Sequence, residues 1–242
     1  MTPARLAVQA GRITWTSRPP VVLRRTGPAR VHLVQVGGGP LGGDAAGLDV
    51  EVGPGERLEL CSAAATVVQP GRVPGSAATF TVRARVAPGG ALWWRPEPTV
   101  VTDGALWDVR VRLDVAAGAT ATVVEQLVLG RAGQRGGGVA SSLDVRVDGR
   151  PLLVTTTRLD GADPALSGPG GTAGASSVGT VLRAGVSSTD STADADGEES
   201  GEDTGVVWAR TPLAGPGWLL TALGTPRAVA RVLTGRCRDA PA

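Results

Sequence analysis

The sequence predicts an all-β fold: a stacked, coiled β-sheet body with one or two short helices near the C-terminus. Three observations predict it. Gly 36 and Pro 18 fall between short apolar runs rather than in one tract, as turns between strands do. The runs alternate apolar and polar residues with period two, the mark of a half-buried strand. A Gly-containing turn also recurs along the chain, which a stack of similar units explains.

The strands follow in order. Arg30-Val31-His32-Leu33-Val34-Gln35-Val36 is extended and stops at Gly37-Gly38-Gly39. Leu48-Asp49-Val50-Glu51-Val52 alternates strictly, and Arg57-Leu58-Glu59-Leu60 resumes the pattern after Gly53-Pro54-Gly55. Residues 80–86, 109–115 and 143–147 repeat it with Arg or Asp on the wet side. The turn glycines Gly55, Gly89 and Gly118 are 34 and then 29 residues apart, and Asp148-Gly149 is a related turn. A unit of strand, Gly turn and strand cannot bury its apolar face alone, so neighbours must stack on it. An ordinary sandwich is the alternative.

Beyond Leu159 the character changes. Residues 163–177 read as loop, and 178–185 as one more strand. The expected division is a β-rich body at 1–186, an acidic disordered loop at 187–205, and a C-terminal strand and short helix at 206–242. The loop carries seven acidic residues and no basic one, and has too little apolar surface to offset its ordering entropy. The helix should start at Thr225, a capping residue, with Pro226 in the first position and Val229, Val232 and Leu233 on one face.

Charge and composition exclude several functions. All 24 basic residues are Arg, and the formal net charge is +2. Without the acidic segment, 15 acidic residues stand against those 24, a formal charge of +9. Such a body can attract nucleic acid, membrane or an acidic protein. No nucleic-acid motif is present and aromatics are only 3%, so an acidic protein partner is preferred. No apolar run reaches the length of a membrane span, and no signal-peptide core opens the chain, so a cytoplasmic protein is expected. Cys61 and Cys237 are isolated and make no disulfide framework. One histidine, His32, leaves no multi-His metal cage, and its place in a strand suits a structural role. There is no G-x-S-x-G elbow and, without Lys, no P-loop. The chain is not expected to be an enzyme.

Three segments stand out. Gly37 to Asp44 includes Gly42 and Gly43, which permit close backbone approach, and Asp44, suited to cap a turn. In Trp93-Trp94-Arg95-Pro96-Glu97-Pro98, the prolines hold Glu97 extended and remove two donors. One of the two tryptophans should be exposed or covered by a partner. Glu125 lies among apolar residues and needs a partner, for which Arg131, after Gly130, is the candidate. Each segment can also be read as purely structural: a capped turn, a Pro-rich corner and an internal ion pair.

In this order the segments resemble the UreD (UreH) family of urease accessory proteins. The likeness is carried by Gly42, Gly43 and Asp44, by Pro96, Glu97 and Pro98, by Glu125, Gly130 and Arg131, and by the Pro-Gly turns at Pro54 and Pro88. It covers about residues 20–160. The chain departs from the pattern after Arg131, where Gln134-Arg135-Gly136-Gly137 replaces a Gly-Glu. The resemblance implies a β-helix-like body that scaffolds a complex with UreF and, through UreF, the GTPase UreG on apo-urease. It also implies delivery of Ni²⁺ with no tightly bound cofactor. Asp44, Glu97 and Glu125 would then be transient oxygen ligands along an ion path. The alternative is a non-catalytic all-β binding module, or a small solenoid hydrolase, unrelated to urease. Scattered acids and few aromatics argue against the hydrolase.

Overall fold

Residues 2–185 and 199–236 are described in a computed structural model of the chain. They form eighteen strands, one 3-10 turn (Pro164–Ser167) and one α-helix. The acidic stretch up to Glu198, and Cys237, lie outside these residues.

The chain begins with the hairpin β1 (Ala4–Gln9) and β2 (Arg12–Thr16) in a first sheet. It crosses to a second sheet for the hairpin β3 (Val21–Arg25) and β4 (Arg30–Gln35). It then coils between the two. The strands β5 (Ala45–Val52), β8 (Ala77–Val86), β11 (Leu106–Val115) and β13 (Gly138–Val147) join the first sheet in parallel. The strands β6 (Arg57–Ser62), β9 (Ala91–Arg95) and β12 (Thr120–Leu129) join the second in parallel. Two short strands, β7 (Thr66–Val68) and β10 (Thr99–Val101), complete the coils on that side.

Coiling ends with β14 (Arg150–Asp160), a hairpin partner of β13 at the edge of the first sheet. The second sheet grows antiparallel through β15 (Ser177–Gly185), β18 (Gly217–Gly224), β17 (Val206–Pro212) and β16 (Glu199–Asp203). Helix α1 (Pro226–Arg236) starts at Thr225, whose Oγ1 accepts from the Ala228 amide at 3.4 Å. It lays Ala228, Val229 and Leu233 on the outer face of β12, β15 and β18.

The length of each coil is the turn spacing read from the sequence. Val50 pairs with Ala84, and Ala84 with Leu113, offsets of 34 and 29 residues. Gly55, Gly89 and Gly118 turn each coil at φ of +67°, +70° and +70°, a conformation open to glycine at little steric cost. Parallel register then stacks like on like. Leu6, Val50, Ala84, Leu113 and Val145 form one buried ladder, faced by Val31, Leu60, Trp94 and Val123 from the second sheet. The coiled form therefore prevails over the ordinary sandwich.

The two outer faces differ. On the first sheet, Glu51, Arg85, Asp114 and Arg146 stand in register with alternating sign, which suits a solvated face. The second carries tryptophans under arginines: Arg183 over Trp93 at 5.8 Å, Arg210 over Trp218 at 5.6 Å and Arg236 over Trp208 at 4.1 Å.

Two expectations are corrected. Trp93 and Trp94 are both buried, at 6% and 8% exposure. Trp94 enters the core between the sheets, and Arg183 covers Trp93 from outside, so no partner is required there. The loop expected through Gly205 is also too long. Glu199–Asp203 form β16, where Glu199 pairs with Arg210 at 3.4 Å and with Arg236 at 2.8 Å. Gly201 leaves room for the Trp208 ring, which an added Cβ would meet at 2.7 Å.

Candidate functional site

Between the two sheets lies a cavity of about 110 Å³ whose lining includes Asp44, Glu97 and Glu125. Residues 81 positions apart in sequence thus border one space, because the coil returns each segment to the same wall. Their surroundings differ.

Asp44 is exposed and closes its own turn. Its Oδ2 accepts from the Leu41 amide at 2.9 Å, and its amide donates to the Leu41 carbonyl at 2.8 Å. The glycines before it are structural. A Cβ on Gly42 would lie 2.4 Å from the Ser76 carbonyl oxygen, and Gly43 has φ +97°. The local-cap reading accounts for this segment.

Glu97 is exposed at a break in the second sheet. Strand β9 pairs with β12 as far as Trp94 and Val123, and β10 resumes with Thr99 and Leu127. Between these points the four residues Arg95–Pro98 stand opposite the three residues Val124–Gln126. Pro96 and Pro98 have no N–H to offer β12. The Pro-Glu-Pro segment instead leans to the other side: the Glu97 amide donates to Ser62 Oγ at 2.8 Å, and the Pro98 carbonyl accepts from the Thr66 amide at 3.0 Å. What remains is a gap in the sheet. On its outer side is a groove of about 300 Å³, roofed in part by α1. The groove and the inner cavity share Cys61, Ser62, Pro96, Glu97, Val124 and Gln126, so they meet at the gap.

Glu125 sits on the inner face of β12. Both its carboxylate oxygens accept from Ser141 Oγ of β13, at 2.8 Å and 3.0 Å. Arg131, expected as its partner, is exposed. Its amide donates to the Gln134 side chain at 3.0 Å, and it makes no ion pair with Glu125. Gly130, at φ +74°, turns the chain outward there and carries Arg131 away. Burial pushes the Glu125 carboxyl up from its ordinary value, and the Ser141 hydroxyl only partly opposes this. Beyond this carboxyl opens a cleft of about 580 Å³ at the β14 edge, and Glu125, Ser141, Leu143 and Thr180 border both chambers as a neck.

Sequence reasoning missed the mouth of the groove. His32 and Cys61 are register partners on β4 and β6, and both line it. His32 Nδ1 is hydrogen-bonded to Thr26 Oγ1 at 2.7 Å. Glu59 bridges Arg30 and Arg95. Partial burial works against its charge, but the two guanidinium hydrogen bonds outweigh it and hold the carboxyl below its ordinary value. Burial, then the Glu59 charge, pushes the Cys61 thiol up to about 11. The alternation at Arg57–Leu60 placed Glu59 on the wet face correctly but could not name its partners.

Among the described residues no three His, Cys, Asp or Glu side chains gather closely enough to hold a metal ion. No helix among them is long and apolar enough to cross a membrane.

A profile of the UreD urease accessory protein family matches residues 12–240. The chain belongs to the UreD family. The UreD protein of Parafrankia sp. is 38% identical over 91% of this chain and 82% of its own length. That of Frankia casuarinae is 39% identical over 81% of this chain and 66% of its own. That of Streptomyces coelicolor is 38% identical over 84% and 80%. All three are described as urease accessory proteins.

Proposed function

We propose that this UreD-family chain is a non-catalytic scaffold of urease maturation through which Ni²⁺ reaches apo-urease in the cytoplasm. The observation that carries the reading is the adjacency of the three chambers, which share wall residues. The outer groove, the inter-sheet cavity and the edge cleft follow one another, with Glu97 at the first junction and Glu125 at the second.

The chemistry supports passage rather than storage. Isolated carboxylates give a dication one or two oxygen contacts at a time, and a full ligand shell would hold the ion instead of releasing it. Glu97 lies at the gap in the sheet and Glu125 at the neck, while Asp44 borders the cavity but spends one carboxylate oxygen on its own turn. Nickel is cargo here, taken up at one end and given up at the other. The chain performs no hydrolysis. It holds UreF, through UreF it holds the GTPase UreG, and the assembly docks on apo-urease.

Co-expression with UreF and UreG tests the partners. The expected result is that the tagged chain retains UreF, and retains UreG only when UreF is present. A folded chain that binds neither, with urease fully nickel-loaded in its absence, would overturn the proposal.

A further inference from the structure

We infer that the helix-bearing outer face of the second sheet, around the groove over the gap, is a docking surface for an acidic protein partner. The inference rests on the proposed role and names the chemistry of one contact that the role requires.

Charge asymmetry carries it. On this face Arg24 of β3, Arg30 of β4, Arg57 of β6 and Arg95 of β9 point outward, Arg95 lining the groove itself, and exposed Arg227 adds to them from α1. Outward placement follows from the buried alternates Leu23, Val31, Leu58, Leu60 and Leu92, which face the core. Against these stand Glu59, already held by Arg30 and Arg95, and Glu97; farther along the same sheet, Glu199 and Asp203 of β16 are taken up by Arg210, Arg236 and Arg231. Among the described residues Arg57 makes no ion pair, and Arg24 only donates to its neighbour's carbonyl at 3.2 Å. The outer face of the first sheet is the contrast. There Arg83 pairs with Asp49, Arg110 with Asp108, Arg112 with Asp114 and Arg146 with Asp144, so the charges are spent internally.

Shape agrees with charge. The groove has an apolar wall at Ala230 and Leu233 of α1 and a polar wall at His32 and Arg95. An interface of this kind wants an apolar centre with charged groups at its rim. The arginines supply the rim, so the matching surface carries carboxylates. A partner seated here also closes the groove over the gap and makes the ion path continuous between the two proteins.

The test uses the full chain and a fluorescent ten-residue polyglutamate peptide as the acidic probe. Arg24→Glu with Arg57→Glu should weaken binding by at least about tenfold and flatten its salt dependence. Arg5→Glu with Arg12→Glu, an equal charge change on the first sheet, should leave it nearly unchanged. Both pairs are exposed and, among the described residues, outside any ion pair, and circular dichroism checks that each variant folds. Equal losses in the two pairs, or full binding by the first, would overturn the docking surface. Peptide binding does not depend on urease. If the first pair alone loses the peptide while omitting the chain leaves urease fully loaded, the surface stands and the proposed function fails.

Discussion

Thr180→Phe is expected to stop nickel transfer while leaving the assembly intact. Thr180 lies on β15 at the neck, bordering both the inter-sheet cavity and the edge cleft. It faces Glu125 directly across the β12–β15 pair. A phenyl ring there would extend into open space rather than into a packed neighbour. Overpacking costs about 1–3 kcal/mol where room is short, and the cleft of about 580 Å³ should keep the cost at the low end. The variant should fold, bind its partners as the wild type does, and leave urease with no more nickel than a mixture lacking the chain. Thr180→Val keeps the volume and should behave as wild type. Nickel by mass spectrometry and complex formation by size-exclusion chromatography are the two readouts. Normal loading through Thr180→Phe would mean that the ion does not pass the neck.

Glu125→Gln should separate function from stability. The amide keeps the shape and can still bond to Ser141, but it removes the charge from the neck. A negative group in a narrow low-dielectric passage concentrates cations, so the initial rate of nickel loading should fall by about tenfold or more. Stability should move the other way. The folded carboxyl is held above its ordinary 4.5 by burial, so as pH rises the unfolded chain gives up this proton first. The folded state is therefore penalised progressively above pH 4.5, and most fully once the folded group has ionised. Glu125→Gln lacks that penalty. Its melting temperature should exceed that of wild type at pH 7, and the difference should vanish as the pH falls below 4.5. A variant less stable than wild type at pH 7 would show that the carboxylate stabilises the fold, as a purely structural group would.

The coil was legible because it is written locally. Alternation places Leu58 and Leu60 inside and Glu59 outside without knowledge of any neighbour. The spacing of Gly55, Gly89 and Gly118 gives the length of each coil because each turn stacks on the one before. The helix was legible for the same reason, from Thr225, Pro226 and one apolar face. The three candidate carboxylates do border one cavity, yet their partners were not readable. Ser141 comes to Glu125 from β13, and Arg183 comes to Trp93 from β15, through register that no local pattern states. Pairing Glu125 with Arg131 looked natural in sequence and failed because Gly130 turns the chain away. The gap is half legible: two prolines announce lost hydrogen bonds, but only the ladder shows that four residues face three. Glu199–Asp203 reads as loop because its stabilisation comes from Arg210 and Arg236, both later in the chain.

The central claim is that this body carries nickel to urease, and nickel per active site tests it most directly. Apo-urease is incubated with UreF, UreG, GTP, bicarbonate and Ni²⁺ at limiting concentration, with and without this chain. The account predicts near-complete loading with the chain and little without it. Equal loading in the two mixtures would contradict it.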